Sequence, residues 1–573
     1  MKDRSDLTDL LTDQTFQADL AKIASQTDRT IEQANRAARN HLREMAGDIS
    51  PRVAGFTGRL AWWICRRNYR TIRFNPEGLT RLEGLEGKYP VIFLPSHKSQ
   101  LDHAVLHHLM WKNGRAPNYT ASGINLNFFP LGSLVRRSGS FFIRRQIGNR
   151  PVYKLVLNAY LSHLLEQSYP VEWYIEGTRS RTGRLLPPSF GLLSYAVQAL
   201  RNQHCDDIYL VPTSIVYDLV EEIDPYVSEQ LGKPKRKETL VWLFKTILRF
   251  GRRYGDIHVR FGPPLSIVDR FAADSEVDRR NQVEALGTEV CSLINALTPV
   301  TATAWVVATL LGLPNGSALS LPKLAERMAE LVQDAERRGV PMVDNLAEQI
   351  HPTNLETVLS RLSRQKLVEV DRSRGWRITP NRRLAASYYR NAIAHHYVIP
   401  AAAEIALALT GKASREERLE TFNQGLKTIH SLFQTDFFLP ESSVFYKQIQ
   451  KELTDRIPDW EPRLLNGAST RLLQELFPHR APWALRHFVE AYWVAGQTLA
   501  EPPSTTESDP TVLLWAALDK SHAYVKQGRI SAEAASLPLL SLGLTRPRNQ
   551  SDQLGAILEA ILSLQQESPP PEP

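Results

Sequence analysis

Cysteine is scarce. Only Cys65, Cys205 and Cys291 occur in 573 residues, far apart and without a Cys-x-x-Cys pair. That excludes a disulfide framework and a thiolate metal cluster, and it suits a reducing cytoplasm. Long apolar runs are missing as well. No uncharged apolar stretch reaches the roughly 18 residues that a membrane-crossing helix needs, so none is expected. The longest candidate, Thr301–Leu313, reads as a buried or interfacial helix. The first residues, Met1–Gln14, are polar and acidic, with no apolar core of the kind an export signal carries. There is no internal repeat. Acidic residues are outnumbered 61 to 69, which leaves a net charge of +8 and a pI near 9.2. Such a balance suits nucleic acid, an acidic membrane surface or phosphorylated substrates, and charge alone does not choose among them. No recognition motif or aromatic platform accompanies the basic runs, which argues against nucleic acid.

What is present is a chain too long for one ordinary core, with the 43% hydrophobic content of a folded protein. Residues 1–75 read as an N-terminal helical region, its first 50 as solvent-facing helices. Within it, Gly58–Arg70 sets paired tryptophans beside an arginine cluster. That pattern fits a membrane interface, and equally a helix packed on the next domain. Residues 76–300 alternate short apolar runs with helical segments, which predicts a layered α/β domain. Strands are expected at Val91–Leu94, Ser140–Ile143, Val171–Ile175, Ile208–Val216 and Ile257–Phe261. Helices are expected at Leu101–Trp111, Pro151–Gln167 and Ser189–Arg201. A second apolar-basic segment, Glu238–Tyr254, fits a membrane surface or a core helix with a charged end. Residues 301–567 read as mainly helical, with loops near Pro314–Gly316 and Pro502–Pro510. Asn354–Gln365 and a hairpin over Leu367–Thr379, turning at Ser373–Gly375, resemble a winged-helix unit. The proline-rich tail, residues 568–573, is expected to be disordered.

The chemistry gathers around Val91–Asp102 (VIFLPSHKSQLD). A buried strand ends at Pro95, His97 sits in the turn, and Asp102 falls early in the next helix. A carboxylate there can fix one imidazole nitrogen while the other takes a proton. That is a Ser-His-Asp triad without its hydroxyl, which the substrate can bring. Three further blocks accompany the pair. Gly139–Arg145 (GSFFIRR) delivers Arg144 and Arg145 from a strand end, and a guanidinium fork grips phosphate through two parallel hydrogen bonds. Tyr174–Gly183 (YIEGTRSRTG) offers Glu176 to accept from a hydroxyl or hold an arginine. In the same block Gly177 allows close backbone approach, Arg179 and Arg181 suit phosphate, and Ser180 adds a hydroxyl. Ile208–Asp218 (IYLVPTSIVYD) carries Pro212 inside a strand, which marks an edge or a bulge.

In this order HKSQLD, GSFFIRR, YIEGTRSR and LVPTSIVYD resemble the glycerolipid acyltransferase family. Ala121–Pro130 and Ser387–His396 narrow the likeness to the branch of bacterial membrane glycerol-3-phosphate and peroxisomal dihydroxyacetone-phosphate acyltransferases. The fold it implies is a central layered α/β acyltransferase domain flanked by N-terminal helices and a mostly α-helical C-terminal domain. The activity it implies is acyl transfer from acyl-CoA or acyl carrier protein to the 1-hydroxyl of glycerol 3-phosphate, giving lysophosphatidate. By the same resemblance His97 is the base and Asp102 its orienter. Arg144, Arg145, Arg179 and Arg181 bind phosphate, Glu176, Gly177 and Ser180 shape the glycerol site, and Pro212 shapes the pocket. No metal or further cofactor is implied. A peripheral enzyme on the cytoplasmic face of the inner membrane, meeting anionic lipid, is expected. Lys98 departs from the arginine that usually follows this histidine, and the chain is shorter than the large bacterial enzymes. Lysophosphatidate or dihydroxyacetone phosphate is the alternative acceptor. The rival of another class is a catalytically silent lipid- or protein-binding module.

Overall fold

The computed structural model describes residues 9–128, 131–144, 148–234, 254–271, 279–314, 316–371, 375–501, 509–545 and 551–566. The chain divides into two compact units. The first draws on residues 1–179, 187–217 and 236–297, and the second on residues 180–186, 218–235 and 298–573.

The first unit is built on one eight-stranded sheet. Helices α1 (Gln14–Gln26), α2 (Ile31–Met45) and α3 (Pro51–Asn68) precede it. Strands β1 (Ile72–Phe74) and β2 (Val91–Pro95) lead to helix α4 (Asp102–Lys112). There follow β3 (Tyr119–Gly123), β4 (Ser140–Ile143), α5 (Pro151–Glu166), β5 (Val171–Glu172) and α6 (Gly191–Arg201). The unit closes with β6 (Tyr209–Tyr217), β7 (Ile257–Phe261), β8 (Leu265–Ser266) and α7 (Arg279–Leu297). Across the sheet the order is β1-β7-β6-β2-β5-β3-β4, with β8 also pairing to β6. β2 runs parallel to both β5 and β6, while β7 and β8 meet β6 antiparallel. β2, in the middle of the sheet, is apolar and buried at every position, as a parallel strand covered on both faces is.

Several expectations need correction. The N-terminal helices are not simply solvent-facing: Phe16, Leu20, Ala34, Ala38 and Leu42 are buried, and both α1 and α2 pack on α5. β3 had no counterpart in the expected strands, because YTASG holds no apolar run to signal it. β5 is two residues long rather than five. Trp173 still donates to the Phe93 carbonyl at 3.2 Å, after which the chain turns and the Gly177 N–H donates to the Tyr174 carbonyl at 2.9 Å. Gly177 has φ +65°, a conformation that glycine adopts without steric cost. Pro212 is on an interior strand, not an edge. It pairs with Leu94 of β2, and on its other side the antiparallel neighbour changes from β8 to β7. The donor that proline lacks therefore falls at a break in the ladder, where the Gly262 N–H donates to the Pro212 carbonyl at 2.9 Å.

The second unit is mainly helical. The apolar segment near Thr301 forms a buried helix, Ala302–Gly312, capped by Thr301, whose hydroxyl accepts from the Ala304 N–H. Helix Pro352–Arg364 precedes β9 (Val368–Asp371) and β10 (Gly375–Ile378), an antiparallel pair. Most of the hairpin turn expected at Ser373–Gly375, most of the segment 238–254, most of the 502–510 loop and the 568–573 tail lie outside the described residues. Among the described residues, no single helix is long and apolar enough to cross a membrane.

Candidate active site

Three adjacent parallel strands, β5, β2 and β6, deliver the candidate residues beyond their carboxyl ends, where open α/β sheets bind ligands. His97 follows β2, Glu176 follows β5, and Tyr217 closes β6. His97 Nδ1 lies 2.9 Å from Asp102 Oδ2. The same oxygen accepts from the Lys98 and Ser99 N–H groups at 2.6 and 2.9 Å, and Oδ1 accepts from the Tyr217 hydroxyl at 2.6 Å. Asp102 is fully buried, and an anion removed from water needs this many donors. Its position at the start of α4 adds the favourable end of the helix dipole. With Nδ1 committed to the carboxylate, Nε2 is the proton-accepting nitrogen of the imidazole. The His97 side chain is 20% exposed, so that nitrogen belongs to a ring open to a reactant.

The peptide that carries His97 is held too. Glu176, itself buried, accepts from the His97 N–H through Oε1 at 2.6 Å. Tyr174 stacks on the imidazole, with ring centroids 4.0 Å apart and planes 21° apart. Sequence reasoning placed Glu176 at a substrate hydroxyl or an arginine, and it gave Tyr174 and Tyr217 no role. A usable signal existed for Tyr217: a buried carboxylate needs donors, and this tyrosine ends the strand beside β2. Burial, then the negative charge of Asp102, holds the Tyr217 hydroxyl well above its usual range, so it remains a neutral donor. Tyr174 is raised in the same way, by burial first and then by Glu172 and Asp102. Cys291 is buried, and its thiol is pushed well up by burial and by the charge of Glu176.

The arginines divide differently from expectation. The fork of Arg144 is taken by Glu44 of α2, with contacts of 2.8 and 2.7 Å, and its backbone N–H donates to the Tyr153 hydroxyl. In this structure its side chain is the ion-pair partner of Glu44. Arg145 lies outside the described residues. Arg179 is buried and falls in the first unit with His97 and Glu176. Ser180 and Arg181 fall in the second unit. The Ser180 hydroxyl donates to the Arg184 carbonyl, and Arg181 pairs with Glu229 at 2.9 Å. Both side chains therefore serve the second unit's own loop. In that unit Arg184 pairs with the buried Asp436 at 3.1 Å, and Asn391 donates to the Thr182 carbonyl at 2.9 Å. Lys98 is largely buried, and its backbone N–H serves Asp102.

The family model described as Acyltransferase matches residues 74–216, which hold His97, Asp102 and Glu176. The model described as glycerol-3-phosphate acyltransferase C-terminal region matches residues 226–550, more than half of the chain. The Mycobacterium tuberculosis (strain H37Rv) protein named "Putative acyltransferase plsB1" is 29% identical, covering 96% of this chain and 89% of that protein. The glycerol-3-phosphate acyltransferase of Actinobacillus pleuropneumoniae serotype 3 is also 29% identical, over 84% of this chain and 59% of that one. The crystal structure of the 1-acyl-sn-glycerophosphate acyltransferase PlsC from Thermotoga maritima aligns with 42% of this chain and 78% of its own. There the identity is 16% and the TM-score 0.26. The chain belongs to the glycerol-3-phosphate acyltransferase family and is an acyltransferase.

Proposed function

We propose that this enzyme transfers a fatty acyl group from acyl-CoA or acyl carrier protein to the sn-1 hydroxyl of glycerol 3-phosphate, forming lysophosphatidate as the first step of phospholipid synthesis. The observation that carries the reading is the His97 imidazole, fixed at Nδ1 by Asp102, with no protein hydroxyl required as nucleophile. His97 Nε2 takes the acceptor's hydroxyl proton as that oxygen attacks the thioester carbonyl. When the tetrahedral intermediate collapses, the new C–O bond remains, the C–S bond breaks, and the imidazolium returns the proton to the departing sulfur. Atoms and charge balance without a metal or a further cofactor. Arg179, three residues after Glu176 and in the same unit as His97, is the arginine best supported as a phosphate ligand.

A peripheral location on the cytoplasmic face of the inner membrane is part of the same proposal, because the product is a lipid. The test is product analysis. Purified protein is given palmitoyl-CoA or palmitoyl carrier protein with glycerol 3-phosphate, dihydroxyacetone phosphate or lysophosphatidate in turn. Preferred formation of 1-acyl lysophosphatidate supports the proposal. Preference for another acceptor replaces the substrate, and no acceptor-dependent product with any of them favours a silent binding module.

A further inference from the structure

Helix α3 presents two unlike faces. Ala54, Gly58, Ala61 and Cys65, small and spaced three or four residues apart, are buried. They pack α3 closely onto α4: a Cβ at Gly58 would stand only 2.9 Å from the Trp111 ring. The junction is also hydrogen-bonded, since His107 Nε2 lies 3.0 Å from the Ala54 carbonyl and 2.9 Å from the Thr57 hydroxyl. Arg52, Phe56, Arg59, Trp63 and Arg66 follow the helical repeat on the opposite side, with Trp62 and Arg67 beside them, and all seven are exposed.

The apolar exposure is large. Phe56 is 58% exposed, Trp62 41% and Trp63 44%, and the neighbouring Trp111 of α4 is 37% exposed. The other exposed large apolar side chains among the described residues lie far along the chain from these and from one another, with Ile31 nearest in sequence. The helix sequence contains no aspartate or glutamate, and none of Arg52, Arg59, Arg66 and Arg67 is in an ion pair among the described residues. Arg66 lies over the Trp62 ring at 5.0 Å and Arg67 over the Trp63 ring at 5.5 Å. This arrangement sets a cation beside each indole. Such rings settle at headgroup depth, while guanidinium groups reach the phosphates.

We propose that the exposed face of α3 is a docking surface for an anionic lipid bilayer. A protein partner of ordinary composition would leave four arginines to be paired, whereas an acidic bilayer meets the cations and the indoles together. Because α3 packs directly on α4, which begins at Asp102, the docking helix and the catalytic helix are neighbours in the first unit. Helices in such contact lie about 8–10 Å apart. Docking through α3 thus fixes the catalytic helix close to the surface that receives a lipid product. The proposal does not depend on which acceptor the site takes.

The experiment is co-sedimentation of the full chain with phosphatidylcholine vesicles, with and without phosphatidylglycerol. The wild-type protein is expected to bind the anionic vesicles, and salt is expected to weaken that binding. The exposed-site variants Trp62→Ala/Trp63→Ala and Arg66→Glu/Arg67→Glu should each bind at least about tenfold more weakly, with circular dichroism unchanged. A wild-type protein that leaves anionic vesicles unbound overturns the proposal. So does undiminished binding by both double variants. Loss of a dimer in those variants, with vesicle binding intact, would assign the face to a second copy instead.

Discussion

The Tyr217 hydroxyl donates to Asp102 Oδ1 at 2.6 Å while His97 Nδ1 contacts Oδ2 at 2.9 Å, so one buried carboxylate links the last residue of β6 to the base that follows β2. Tyr217→Phe removes that donor and leaves the ring. A hydrogen bond to a charged group is worth about 2 kcal/mol, so the variant should unfold at correspondingly lower denaturant concentration. Transfer should fall as well, through a lower kcat, because the imidazole is held less firmly. Unchanged stability and unchanged kcat together would remove Tyr217 from the machinery.

Glu176 makes a separable prediction. Its Oε1 accepts from the His97 N–H. Glu176→Gln keeps an acceptor oxygen at that position, whereas Glu176→Ala leaves a buried donor unsatisfied, at a cost of about 1–3 kcal/mol. The glutamine variant should therefore retain much more activity and stability than the alanine variant. Equal, severe loss of activity in both, with stability retained, would show that the negative charge acts on the substrate instead.

Arg144 and Glu44 form a two-pronged ion pair. Their double-mutant cycle on stability should show coupling of about 1 kcal/mol. Arg144→Ala should leave KM for glycerol 3-phosphate nearly unchanged. A large rise in that KM without coupling to Glu44 would return Arg144 to the phosphate site.

His107 gives the α3–α4 junction a pH dependence. Burial, with the charge of His103, lowers its pKa from 6.5 to about 4, while the hydrogen bond to Ala54 works in the opposite direction. Between those values the unfolded chain binds a proton that the folded chain does not, so stability falls as pH drops from 6.5 to 4. One such group is worth about 3 kcal/mol over the whole window. His107→Gln keeps an N–H for the Ala54 carbonyl and has no proton to gain. Its Tm should decline less between pH 7 and pH 5 than that of the wild type, and an identical decline would contradict the assignment.

Much of the site was legible in the residues themselves. The apolar run before His97 marked β2, and the five-residue spacing to Asp102 proved to be a real contact because a strand end and a helix start bring the two together. What stayed hidden depended on partners distant in sequence. Arg144 reads as a phosphate ligand until α2 is seen to supply Glu44, a hundred residues away. Ser180 and Arg181 follow Arg179 directly, yet the chain passes into the second unit between them, and their partners are there. Pro212 reads as an edge or a bulge, because sequence does not show where β8 ends and β7 begins along β6. The polar strand β3 offered no periodic signal, and its place is set by pairing with β4 and β5.

The most direct measurement is acceptor-dependent thiol release from palmitoyl-CoA with glycerol 3-phosphate, comparing wild type, His97→Ala and Asp102→Asn at equal folded concentration. Wild type should release thiol only when the acceptor is present. General-base catalysis is worth about 10²–10⁴-fold, and both variants should lose activity on that scale. Wild-type rates in His97→Ala would contradict the assignment of His97 as the base.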